Sequence, residues 1–132
     1  MIERFHLLSP TEKVRLIREG MDATIFERIA QDVFEVPLDQ LLSCLYVAHS
    51  SVRRKIGLST RLSAAESDLA ARTLNIYANA KDVLEDGRLA SKWLWSENAL
   101  LQGNRPIEMI DTQPSFDRVR DLLMRIEHGV AV

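Results

Sequence analysis

A single cysteine, Cys44, stands in the 132-residue chain, so no disulfide can close within it and no multi-cysteine zinc site can assemble. Its neighbours Leu41, Leu42, Leu45 and Val47 are the setting of a small buried hydrophobe rather than a reactive thiol. The three histidines, His6, His49 and His128, are too scattered for metal-ligand spacing, and neither a metal site nor a cofactor is expected. No apolar run approaches the ~20 residues that span a bilayer, and no N-terminal stretch reads as a signal peptide. A cytoplasmic location is the expectation. Charge of one sign is also missing. The net charge of −2 argues against a protein coated in nucleic acid, so any DNA contact requires a local basic patch. Catalytic patterning is absent too. Ser50, Ser51 and Cys44 have no base in a supporting pattern, and acids such as Asp117 and Asp121 alternate with Arg118 and Arg120 as solvated ion pairs do. No enzymatic activity is expected.

What is present is an ordinary globular composition, 46% apolar and 27% charged, which rules against wholesale disorder. The length allows one core or two small helical subdomains. Nearly every segment reads as helix. Ser9-Pro10-Thr11-Glu12 and Ser63-Ala64-Ala65-Glu66 are capping boxes, in which hydroxyl and carboxylate satisfy orphaned N–H groups. The first opens a helix to about Glu19, closed by Gly20, with Val14, Ile17 and Ile25 as candidates for burial. A second helix, capped by Asp22, runs through Val33-Phe34. Ile25, Phe26, Ile29, Ala30 and Val33 fall on one stripe of it.

Pro37 starts a third helix with Leu38, Leu41, Leu42 and Leu45 inward, and a fourth spans Ser50 to Ile56, stopping at Gly57. The second capping box opens a long helix to Leu84, with Leu69, Leu74 and Ile76 as core candidates. After a turn at Glu85-Asp86-Gly87, Leu89, Ala90, Trp93 and Leu94 form the next inner face. Asn98 to Leu101 is a short helical turn broken by Gly103, and Pro106 restarts one through Ile110. A final helix from Gln113 to His128 turns Phe116, Val119, Leu122, Leu123 and Ile126 inward. No segment sustains strand alternation, so the fold class expected is all-α.

Within a charge-balanced first part (eight basic and eight acidic residues up to Thr60), Arg53, Arg54 and Lys55 are contiguous. Leu41, Leu45 and Val47 followed by Ser50-Ser51-Val52-Arg53-Arg54 resembles the helix-turn-helix of Xre-type regulators. In that motif a second helix enters the major groove, short polar residues at its start meet phosphates or base edges, and arginines bind phosphate or guanine. The resemblance nominates Ser50, Ser51, Arg53, Arg54 and Lys55 as DNA-binding. The other reading is a plain helical hairpin with a basic solvated face. Two departures stand out. Tyr46 replaces the usual glycine of the turn, although a tyrosine resists positive φ, and Leu42 replaces a small residue that lets the helices cross closely. They predict a splayed motif, or one kept as a fold without DNA affinity.

The last third carries an ordered string: Trp93-Leu94, Asn98-Ala99-Leu100-Leu101, Gly103, Pro106-Ile107-Glu108, and a helix ending Arg125-Ile126-Glu127-His128-Gly129-Val130. Trp93 and Trp95 lie two apart and point in different directions on a helix, so they cannot sandwich one ligand. Trp93 reads as core and Trp95 as lying at an interface or under a loop. From about Ser63 onward the string resembles the toxin-binding domain shared by Xre, MbcA and ParS antitoxins. Departures include Leu101-Gln102-Gly103 where the family often has a double glycine, a missing glycine at Ser115-Phe116, and Asp68 in place of an arginine, with Arg72 kept.

The resemblance implies an N-terminal helix-turn-helix region over residues 1–60 and a C-terminal toxin-binding domain over 61–132. It implies a RES-domain toxin as partner, acting on NAD, and nominates Arg125, Glu127, His128, Gly129 and Val130 as toxin-facing residues that occlude the toxin's cleft. Operator DNA is the second expected partner, bound by a homodimer that represses its own operon. The rival reading is a stand-alone dimeric regulator whose C-terminal half serves only for dimerisation.

Overall fold

In the computed structural model, which describes residues 2–129, the Ser63 capping box forms in full: Glu66 N–H donates to Ser63 Oγ at 3.1 Å while Glu66 Oε1 accepts Ser63 N–H at 2.9 Å. At Ser9 the cap forms by a different route, Glu12 N–H donating to Ser9 Oγ at 3.2 Å and the same hydroxyl donating to Glu12 Oε1 at 3.2 Å. The elements are α1 (Ile2–Phe5), α2 (Pro10–Glu19), α3 (Ile25–Arg28), a π-helical turn (Ile29–Phe34), α4 (Leu38–Cys44), α5 (His49–Gly57), α6 (Ala64–Leu84), α7 (Gly87–Trp95), 3₁₀ turns at Ala99–Leu101 and Pro106–Met109, and α8 (Gln113–Glu127). The fold is all-α; an isolated antiparallel bridge pairs Asp22 with Arg61. No helix among the described residues is long and apolar enough to cross a membrane.

The chain forms two compact units, Met1–Leu74 and Asn75–Val132. Their boundary falls inside α6. The start of α6 is tied into the first unit: Met21 N–H donates to the buried Ser67 Oγ at 2.8 Å. Next to it, Leu62 N–H donates to Met21 carbonyl at 2.8 Å. Gly20 makes this seam possible. It ends α2 at φ +93°, and a Cβ there would collide with the Leu62 carbonyl oxygen.

In the first unit Phe5, Phe26, Ile29, Leu41, Leu42, Leu45 and Val52 are buried, and α4 lies against α3, the π turn and α5. Each such burial is worth about 1.5–3 kcal/mol relative to exposure. The sequence stripe placed Val33 inward, but Phe34 is buried and Val33 only half-buried. The wider i→i+5 bonding of Ile29–Phe34 explains the slip, since it carries the inward face one residue further. Val14 also departs from expectation. It is 43% exposed, and no residue of α2 is buried.

In the second unit Ile76, Leu94, Leu101, Ile107, Ile110 and Leu123 are buried, and the Pro106–Met109 turn lies against both α7 and α8. Asp86 starts α7, its Oδ1 accepting Arg88 N–H at 2.7 Å. Leu89, expected inward, is 51% exposed. The buried face of α7 runs through Ala90 and Leu94, four apart, and Leu89 lies about 100° round from Ala90.

The turn between α4 and α5 brings the first physical surprise. Tyr46 adopts φ +59°, the left-handed conformation that glycine would supply, with its side chain 67% exposed. The turn geometry is retained through hydrogen bonds from Tyr46 N–H to Ser43 carbonyl (3.2 Å) and Val47 N–H to Leu42 carbonyl (3.0 Å). The tyrosine is held there at a conformational cost of about 1 kcal/mol. Tyr46→Gly is therefore expected to raise stability by about 0.5–1 kcal/mol, because little packing is lost with an exposed ring. Urea unfolding of the two proteins checks this; an unchanged or lower midpoint would show that the ring contributes packing that outweighs the strain.

Candidate interaction surfaces

The helix α5 begins at His49 after Ala48, which caps it without a side-chain bond. Its polar residues separate by direction. Ser50, Arg53 and Arg54 are exposed, while Val52 is buried and Ser51 and Lys55 are half-buried. Residues 50, 53, 54 and 57 share one face of a helix, so that face is the solvent side of α5.

Ser51 and Lys55 are occupied by Glu66. Ser51 Oγ donates to Glu66 Oε2 at 2.8 Å and Lys55 Nζ to Oε1 at 2.5 Å. The Lys55 and Glu66 side chains are only 17% and 13% exposed. Burial raises the Glu66 pKa, but the bonds from Lys55, Ser63 and Ser51 more than offset it and bring the carboxyl down to about 2. One carboxylate thus caps α6 and grips α5. Of the five residues nominated for DNA, the structure brings three to the outer face and turns two inward onto this acid.

Asp39 of α4 reaches across to the outer face. Its Oδ1 accepts Arg53 Nε at 3.1 Å and Nη2 at 2.6 Å, and His49 Nδ1 lies 3.4 Å from the same oxygen. Ser43 Oγ and His49 Nε2 are 3.1 Å apart. The Arg53 bond is the main cause that holds the Asp39 carboxyl below its ordinary range. Sequence reading missed Asp39 and Ser43, because spacing across a turn gives no signal for a pair that meets only when two helices fold together. Glu66 was read as a cap alone.

The second surface lies at the end of the chain. Thr112 starts α8, its Oγ1 accepting Ser115 N–H at 3.4 Å, and Phe116, Val119, Leu122 and Leu123 form its buried face. Arg125, Glu127, His128 and Gly129 are exposed at its far end. There His128 N–H donates to Met124 carbonyl at 3.0 Å and Gly129 N–H to Ile126 carbonyl at 3.2 Å, with Gly129 at φ +69° reversing the chain. Val130, the fifth nominated residue, lies outside the described residues.

Beside this end, a shallow groove of about 340 Å³ is lined by Leu100, Leu101, Arg118, Asp121, Leu122 and Arg125. Arg118 is fixed there by donating from Nη2 to Leu100 carbonyl at 2.9 Å. Of the nominated residues only Arg125 reaches the groove. Arg118 was legible as a possibility, since it lies two helical turns before Arg125 on the same face.

The loop that supplies Leu100 is built from its own polar groups. Asn98 Oδ1 accepts Leu100 N–H at 3.0 Å, and Asn98 carbonyl accepts Gly103 N–H at 2.9 Å. Gln102 and Gly103 take φ +56° and +81°, which explains physically why a double glycine suits this turn. Beyond it, Arg105 stacks 5.4 Å above the Trp95 ring and pairs with Glu108 at 2.8 Å. Trp95 therefore lies under the loop, whereas Trp93, read as core, is half-buried.

Comparison with known proteins bears on the second surface most directly. Residues 79–129 match the family described as the antitoxin Xre/MbcA/ParS C-terminal toxin-binding domain. The matched stretch takes in the end of α6, α7, both 3₁₀ turns and α8. Antitoxin Xre of Pseudomonas putida is 25% identical to this chain over 115 residues, which cover 86% of this chain and 69% of that protein. Order of motifs, all-helical fold and these similarities agree in placing the likeness to the Xre/MbcA/ParS antitoxins in residues 79–129, the stretch that matches their toxin-binding domain.

Proposed function

We propose that this chain is the antitoxin of a toxin–antitoxin pair and that it neutralises a RES-domain toxin, one that consumes NAD or transfers ADP-ribose. The observation that carries the reading is the match of residues 79–129 to a toxin-binding domain, combined with an α8 end whose Arg125, Glu127, His128 and Gly129 all face solvent. Inhibition needs no chemistry from this chain. A rigid helix delivers its end into a cleft that otherwise accepts a dinucleotide, and the Glu127 carboxylate pairs with cationic side chains that would hold phosphate.

The exposed Ser50, Arg53 and Arg54 of α5 favour a second activity, autorepression of the operon by a homodimer bound to operator DNA. Two half-sites double the phosphate contacts that a single short helix makes, so binding falls steeply with salt. A stand-alone regulator would use α5 alone.

Co-expression separates the two readings. Cells carrying a RES-domain toxin from the neighbouring reading frame are expected to grow when this chain is also induced, and the two proteins to co-purify. Growth arrest that persists despite soluble chain, with no co-purification, would leave the regulator as the better reading.

A further inference from the structure

We infer that Asp39 is a positioning residue that orients Arg53 to read a guanine, which makes Arg53 the specificity-determining side chain of α5 and leaves Arg54 to bind phosphate. The inference rests on the DNA-binding reading of α4 and α5 and adds to it a division of labour between neighbouring arginines.

Geometry supplies the argument. Asp39 engages the Nε–Nη2 edge of the guanidinium, at 3.1 and 2.6 Å. That contact leaves Nη1 and the outer hydrogen of Nη2 directed away from the carboxylate as a parallel pair of donors. Such a pair matches the O6 and N7 acceptors that guanine alone presents together in the major groove. Both side chains remain more than half exposed, at 55% for Arg53 and 57% for Asp39, so the outer edge is open to a ligand.

Isolated surface ion pairs contribute little stability, and this one is better understood through what it does to the arginine. A long side chain pinned in one orientation loses less entropy on binding. A carboxylate at its back also offsets part of its charge, which weakens its pull on phosphate more than its fit to neutral acceptors. The pinning extends beyond one bond. His49 approaches the same Asp39 oxygen at 3.4 Å and Ser43 at 3.1 Å, so residues of α4 and α5 converge on the brace. Arg54 is exposed one position along, about 100° round the helix, where it meets the flank of a groove rather than its floor.

Selection from a randomised duplex library with the full chain tests the division. Wild type is expected to enrich a guanine at one position in each half-site, and replacing that base by 7-deazaguanine to weaken binding about tenfold. Asp39→Ala and Arg53→Ala are expected to lose that preference while binding to random duplex stays within about twofold for Asp39→Ala. Arg54→Ala should weaken all duplexes alike and lower the salt slope by about one. Retained guanine preference in Asp39→Ala, with the circular dichroism of wild type, overturns the brace. Failure of wild type to bind any duplex at low salt overturns the DNA reading itself and the inference with it.

Discussion

Deleting residues 129–132 is expected to leave a folded chain that no longer protects cells from its toxin. Gly129 is exposed, and nothing lies within 4 Å of where its Cβ would be. Its removal therefore takes no core contact away, and the change in stability should stay within about 0.5 kcal/mol. Occlusion of a cleft, by contrast, depends on the few groups that enter it. Loss of one well-buried interface anchor costs about 2 kcal/mol or more, about 30-fold in affinity. Titrated co-expression reads protection, and thermal unfolding of the deleted chain reads its fold. Undiminished protection by the deletion would move the toxin contact elsewhere, with the groove between Leu100 and Arg125 the next place to look.

Replacing Glu66 by glutamine is expected to cost about 3 kcal/mol at neutral pH. The ordinary glutamate value of 4.5 falls to about 2 in the folded chain, and a shift of this size corresponds to about 3 kcal/mol. The carboxyl is depressed on folding, so its contribution is complete above pH 4.5 and is lost as pH falls from there through about 2. Glutamine also leaves Lys55, whose side chain is 17% exposed, without a counter-charge in a poorly hydrated site. Urea unfolding of both proteins at pH 7 and near pH 2 checks the sign: the gap should be wide at the first and nearly closed at the second. An equal gap at both would mean that the bonds of Glu66 do not depend on its charge.

These expectations draw unequally on what a sequence can convey. The capping box at Ser63 and the cap at Ser9 were legible because hydroxyl, carboxylate and backbone N–H all lie within four residues. The inward faces of α4 and α8 were legible because a 3.6-residue period repeats within each helix. What stayed hidden is tertiary. No spacing ties Asp39 to Arg53 or Glu66 to Lys55, since each pair meets only after two helices pack. The π turn moved Phe34 into the core where the regular period had put Val33, and the helix Ile2–Phe5 is too short for a helical period to show in it.

Tyr46 and Gln102 are instructive in the other direction. Glycine marks a left-handed turn in a sequence, and a tyrosine or glutamine there reads as a departure from the motif. Both residues nonetheless adopt the conformation, because the surrounding hydrogen bonds fix the turn whatever side chain is present. Substitution at such a position changes the energetic cost of the turn without removing it.

The chain has two tryptophans, Trp93 and Trp95, and both fall in the unit that begins at Asn75. Ultraviolet emission excited at the red edge of the indole band is consequently a private signal of that unit, silent about α4 and α5. With a guanidinium resting on one indole face, that emission is poised to change when anything displaces Arg105. A titration cuvette can thereby follow the unit that begins at Asn75 without a dye, a tag or an added label.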